Sequence, residues 1–138
     1  MLARIENGTN YLYAFDGNGN VDAVVGDAGT VVARYTYDPF GRTVAQSGAY
    51  AAANPWRFST KQTDNWGLYY YGSRFYEPSL GRWPNRDPLG EMAFRKIFIK
   101  KVNRDYSRTL YVFCANNSVE SIDLLGLARV CCRTLHPA

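Results

Sequence analysis

The sequence has little of what metal and thiol chemistry use. It holds one histidine, His136, and three cysteines, Cys114, Cys131 and Cys132, with no CxxC spacing. Adjacent cysteines rarely bridge each other, because a disulfide needs separated, facing Cβ atoms. A lone histidine beside the terminus makes metal ligation an unattractive reading, so no cofactor or metal site is expected and the cysteines read as free thiols. Long apolar runs are also missing, which excludes a helical membrane span. No charged start followed by an apolar run succeeds Met1, so no signal peptide is expected. The localisation stays open.

Positive charge is present but not spread. The formal net charge is +4. Residues 92–109 alone carry Arg95, Lys96, Lys100, Lys101, Arg104 and Arg108 against Asp105, which leaves the rest of the chain slightly negative. Basicity confined to one segment reads as a solvated face before it reads as a nucleic-acid site.

What the chain does have is tyrosine. Eleven of its 138 residues are Tyr, and aromatics make up 15%. Such residues suit half-buried strands. Residues 10–48 read as an antiparallel meander. "NYLYAF", "VDAVVG", "VVARYTYD" and "TVAQSG" are separated by the turn stretches "DGNGN", "DAGT" and "PFGR". Gly and Asn tolerate the positive φ of tight turns, and strands joined that closely pair antiparallel. Residues 49–53 read as a linker or loop.

The stretch "YLYAFDGNGNVDAVVGDAGTVVARYTYDPFGRTVAQSG" resembles the YD repeat of Rhs proteins, with its Tyr-x-Tyr-Asp-x-x-Gly-Arg ending at Arg42. "NPWRFSTKQTDNWGLYYYGSRFYEPSLGRWPNRDPLGE", residues 54–91, resembles the Rhs repeat-associated core, and the likeness resumes at "LYVFCANNSVESIDLLGL", residues 110–127. The resemblance implies an all-β fold of antiparallel hairpins, part of a hollow shell that encloses a C-terminal toxin. It divides the chain into a meander at 1–48, a core region at 49–127 and a variable tail at 128–138. The expected partners are other YD-repeat strips. Where the family has a short Gly-rich link, this chain carries a basic insertion at 92–109. Phe94, Phe98, Val102 and Tyr106 share one helical stripe there, so a short amphipathic helix is expected over about 92–106, with a strand at "IFI" as the alternative. Contact with a membrane surface is the less favoured role for that helix.

Three groups of residues are candidates for chemistry. The family, like the related C component of Tc toxins, is understood to clip itself with a pair of carboxylates. The resemblance implies Asp87 and Asp123 as that pair, Arg74 as a supporting cation, and a scissile bond between Leu127 and Ala128. Two positions depart from the pattern: Leu124 stands where the family has Pro, and Phe75 stands where one version of the site has a second Asp. Glu77 shares the strand face of Phe75. The competing reading makes both aspartates turn openers whose side chains accept backbone N–H bonds.

The second group is Tyr69, Tyr70, Tyr71, Arg74, Tyr76, Arg82, Trp83 and Arg86. Such a set could stack on single-stranded nucleic acid. Asp64, Glu77 and Asp87 interleave with the arginines, however, which favours internal cation–π packing in a structural plug. The third group, Cys131, Cys132 and His136, lies in a tail too short to hold a catalytic arrangement. "NNS" at 116–118 reads as a turn before it reads as a glycosylation acceptor. The functional expectation is a structural plug and wall module. The alternatives are a self-cleaving aspartic-type peptidase and a degenerate remnant.

Overall fold

The structure, a computed structural model, describes residues 3–88, 111–119, 121–123, 125–127 and 129–131. The expected helix at 92–106 and residues Ala128, Cys132 and His136 lie outside these. Within them every sheet is antiparallel, so the all-β expectation holds. A five-stranded meander runs in sequence order through β1 (Ala3–Glu6), β2 (Thr9–Phe15), β3 (Val21–Val25), β4 (Val31–Tyr37) and β5 (Thr43–Ser47). A three-stranded sheet follows, of β6 (Gln62–Thr63), β7 (Tyr69–Tyr70) and β8 (Phe75–Tyr76). A last pair joins β9 (Ser121–Asp123) to β10 (Arg129–Cys131).

One turn recurs and sets the hairpins. At Asp16, Asp38 and Asp64 the carboxylate Oδ1 accepts the backbone N–H two residues on and again four residues on, at 2.8–3.0 Å. A glycine three residues after each, Gly19, Gly41 and Gly67, takes a positive φ. This Asp-x-x-Gly device satisfies N–H groups that the strands leave over and closes the turn at a residue without Cβ strain.

The meander buries one face. Tyr13, Val24, Ala33 and Tyr35 alternate inward from β2, β3 and β4, as the period of two requires. Residues 49–53 form a packed loop and not an open linker. Tyr50 and Ala51 are buried in this core. The Tyr50 ring stacks on Tyr11 at 3.9 Å, and its hydroxyl donates to Glu6 Oε2 at 2.5 Å. Asn54, which is fully buried, ties the loop down: it accepts from the Tyr13 hydroxyl at 2.8 Å and donates to the Trp56 carbonyl at 2.7 Å. Strand β1 also lies ahead of the expected start of the meander. Its Asn-Gly turn at residues 7–8 takes positive φ at both positions, the signature of a two-residue hairpin.

Candidate functional site

The second core is a cluster of rings. Tyr71, Tyr76, Trp83 and Phe113 are all buried, and all six pairs among them have centroids 4.1–5.9 Å apart, mostly edge to face. That is the spacing at which ring quadrupoles attract. Alternation in the short strands puts Tyr69 and Tyr76 inside. It turns Tyr70 and Phe75 outward, where their rings meet at 5.0 Å. Phe113 arrives from beyond the insertion: its neighbour Val112 bridges to Arg82, and the Trp83 N–H donates to the Tyr111 carbonyl at 2.9 Å. The Tyr71 hydroxyl is buried without a hydrogen-bond partner among the described residues, and burial pushes its pKa far up.

The cluster is fastened to the meander at two turns: the segment around Phe58 bonds Gly19, Asn20 and Val21 at the β2–β3 turn, and the β4–β5 turn holds the rest. Three successive carbonyls of the β4–β5 turn each receive a hydroxyl. Ser118 donates to Pro39, Tyr76 to Phe40 at 2.8 Å, and Tyr69 to Gly41 at 3.0 Å. Beneath them the Phe58 ring lies so close to Gly41 that a Cβ there would sit 2.5 Å from it. Phe58 also meets Tyr37 at 5.8 Å and Tyr69 at 5.9 Å, which joins the two cores. The Tyr-Asp-x-x-Gly turn at residues 37–41 thus forms a socket, and side chains from the segments after it pack into it.

Arg74 lies on the far side of the rings. Its guanidinium carbon sits 4.0 Å from the Trp83 centroid, a cation–π contact in a dry setting. Nε donates to the Gly126 carbonyl. One terminal nitrogen reaches Asp87 Oδ2 at 3.1 Å and Asp123 Oδ2 at 4.0 Å. One guanidinium nitrogen therefore neighbours both predicted carboxylates. Asp123 is 4% exposed. Its Oδ1 accepts the N–H of Leu125, Gly126 and Leu127 at 3.2, 2.7 and 3.2 Å. This is the Asp-x-x-Gly turn again, here buried. Burial pushes the Asp123 carboxyl up against the opposing pull of these N–H groups and Arg74, and burial likewise lowers Arg74. Both partners shift toward their neutral forms, so desolvation outweighs their attraction. Lys61, 4.8 Å from the Tyr71 centroid, is a further cation near Asp123, and burial lowers it too.

The other sequence-predicted residues fall outside this cluster. Arg82, Arg86 and Tyr70 are exposed. Phe75 meets Tyr70 at a tilt, and Glu77 accepts from the backbone and hydroxyl of Ser79 at 3.1 and 2.7 Å, capping the turn that follows. Leu127 is half-buried, and Leu124 lies outside the described residues. Among the described residues no group of three or more metal-ligating side chains forms. Phe58, Phe113, Ser118 and Lys61 were not anticipated. The one signal that pointed to them was the recurrence of Asp-x-x-Gly at 16, 38, 64, 87 and 123, which marks the turns that the strip packs against.

Comparison with known proteins supplies the family. The chain is 34% identical over 90 residues to toxin subunit YenC1 of Yersinia entomophaga, covering 62% of this chain and 9% of that protein. It is 34% identical over 90 residues to the tRNA3(Ser)-specific nuclease WapA of Bacillus spizizenii, covering 64% of this chain and 4% of that one. A solved TcdB2-TccC3-Cdc42 structure superposes with a TM-score of 0.71 at 30% identity, over 89% of this chain and 5% of the other. The chain belongs to the Rhs/YD-repeat family. No family model matches it. It spans less than a tenth of the length of these relatives. What the Rhs relatives share with it is therefore one structural segment, and the chain is a structural Rhs-type module.

Proposed function

We propose that this module serves as the last wall strip and inner plug of an Rhs-type shell that encloses a C-terminal toxin. The single observation that carries the reading is the socket. Three hydroxyls of the plug bond three consecutive carbonyls of the YD turn, so the plug is made to close onto repeat strips and not to reach for a ligand. The guanidinium of Arg74 and the rings of the plug are spent on each other. Other repeat strips are the partners this reading calls for, and the open edges of the five-stranded sheet are where they would pair.

A second reading rests on a different observation. Asp123 Oδ1 takes the N–H of Leu127, which sets a buried carboxyl with a raised pKa against the Gly126–Leu127 peptide, one residue short of the bond that the family pattern marks, and Arg74 holds Asp87 next to it. A carboxyl whose pKa burial raises and a second carboxyl beside it are the elements of an aspartic mechanism. Against it, the three aspartates at 16, 38 and 64 make the same turn with no chemistry to perform. Phe75 also removes the second carboxyl of one family version. Intact-mass measurement during incubation across acid and neutral pH separates the two. The structural reading predicts an unchanged mass. Loss of residues 128–138, abolished by Asp87→Asn, would replace it with self-cleavage.

A further inference from the structure

We propose that β9 is the docking strand for the start of the C-terminal segment, and that it holds residues 129–131 by main-chain pairing, whatever side chains they carry. This rests on the reading of the module as a plug for such a segment, and it names the plug's own hold on it. β9 ends at Asp123 and β10 begins at Arg129, in the register Asp123 to Arg129, Ile122 to Val130 and Ser121 to Cys131. The Leu127–Ala128 bond therefore falls between two paired strands and not in a free tail. Ser121 and Asp123 are 3% and 4% exposed. Buried backbone N–H and C=O groups need partners, and among the described residues β10 is the one strand that pairs with β9.

The two sides of that bond are held differently. Before it, the fastening depends on particular residues. Asp123 accepts the N–H of Leu125, Gly126 and Leu127, and Arg74 donates to the Gly126 carbonyl. The Ser73 N–H adds a bond to the Leu125 carbonyl at 3.2 Å. Gly126 takes a φ of +70°, and a Cβ there would sit 3.1 Å from the Tyr71 Cβ and 3.3 Å from the Trp83 ring, a position that suits glycine and no larger residue. The turn is thereby fixed on the ring cluster, and the chain leaving Leu127 is brought back along β9, with both strands against the turn at Cys114–Asn116. Beyond the bond, the ladder uses N–H and C=O groups that every residue except proline supplies. Strand addition of this kind draws its binding from the main chain and tolerates many side chains. Three residues of ladder would bind a free peptide weakly. Here the turn tethers the partner, so its effective concentration is high.

Hydrogen exchange of the intact chain, read by mass spectrometry, tests this. Amides of Ser121–Asp123 and of residues 129–131 are expected to be protected together. Combining Arg129→Thr, Val130→Thr and Cys131→Thr is expected to leave the protection of β9 within about threefold of wild type, since threonine suits a strand. Successive residues of a strand point their N–H groups to opposite sides, so one of Val130→Pro and Cys131→Pro removes a bond to β9. That variant is expected to speed exchange at 121–123 by at least about tenfold. Amides of residues 69–83 are expected to keep their wild-type protection in every variant. Unprotected amides at 129–131 in the wild type overturn the proposal. So does β9 protection that survives both proline variants, or that the threonine variant loses as fully as they do. Loss at 69–83 in the same proline variants also overturns it, because β10 would then be part of the core and not a docked strand. The readout needs neither a shell nor a cut bond, so a failure here is distinct from a failure of the plug reading, which intact mass and strip docking test.

Discussion

Asp123 shows what burial does to a turn residue. Asp16, Asp38 and Asp64 make the same bonds to the N–H groups that follow them, and they are solvated to varying degrees. Asp123 makes them at 4% exposure, with its second oxygen turned to Arg74. The result is a carboxyl raised above its ordinary value of 3.8, chiefly by desolvation. A carboxyl raised in the folded state holds its proton more tightly there than in the unfolded chain. The stability this gives is complete below 3.8 and drains away as pH climbs through the raised folded value. Asp123→Asn removes the titration while its amide oxygen still accepts the three N–H bonds. The stability of the wild type relative to this variant is therefore expected to fall as pH rises through the acid range. Urea unfolding at a series of pH values checks it, and a wild-type advantage that grows with pH contradicts it.

At the scale of the element, the β4–β5 turn decides how the chain is joined. Gly41 combines a φ of +88° with a Phe58 ring where its Cβ would go. Gly41→Ala adds left-handed strain to an overpacked contact and is expected to cost at least about 2 kcal/mol. Gly17, in the sister turn, has neither positive φ nor any neighbour in the way. Gly17→Ala is expected to stay within about 0.5 kcal/mol of wild type. Thermal melts of the pair read the difference, and equal effects would remove the socket's special role. Much of this element was legible. The strands at 10–48 and their turns follow from alternation and from Asp, Asn and Gly placed where tight turns need them. The strand at 3–6 was missed although its Asn-Gly turn announces it. Tyr50 was passed over because small alanines surround it, and its stacking on Tyr11 is a contact between distant residues. Ser118 bonding Pro39 spans 79 positions, and local pattern carries no trace of such a contact. In the plug, alternation explains why Tyr69 and Tyr76 are inside and Tyr70 and Phe75 outside. The exposure of Arg82 and Arg86 depends on where the segment around Val112 crosses the strip, which the sequence order alone does not reveal.

At the scale of the whole molecule, two modest cores become one because Tyr37 packs against both and meets Phe58 of the second, and because the YD turn is a receptor for hydroxyls. A strip of two-residue strands is marginal alone, whereas a five-stranded meander with a covered face is not. Docked, they bury rings from both sides of the β4–β5 turn. Repeat architectures gain stability in this way, by covering each unit with its neighbour. Hydrogen exchange followed by mass spectrometry through a urea titration tests this directly. Amides of β3 and β4 and amides of residues 69–83 are predicted to lose protection together, at one urea concentration. If the strip at 69–83 exchanges freely while the meander remains protected, the plug is not seated on the turn and the account fails.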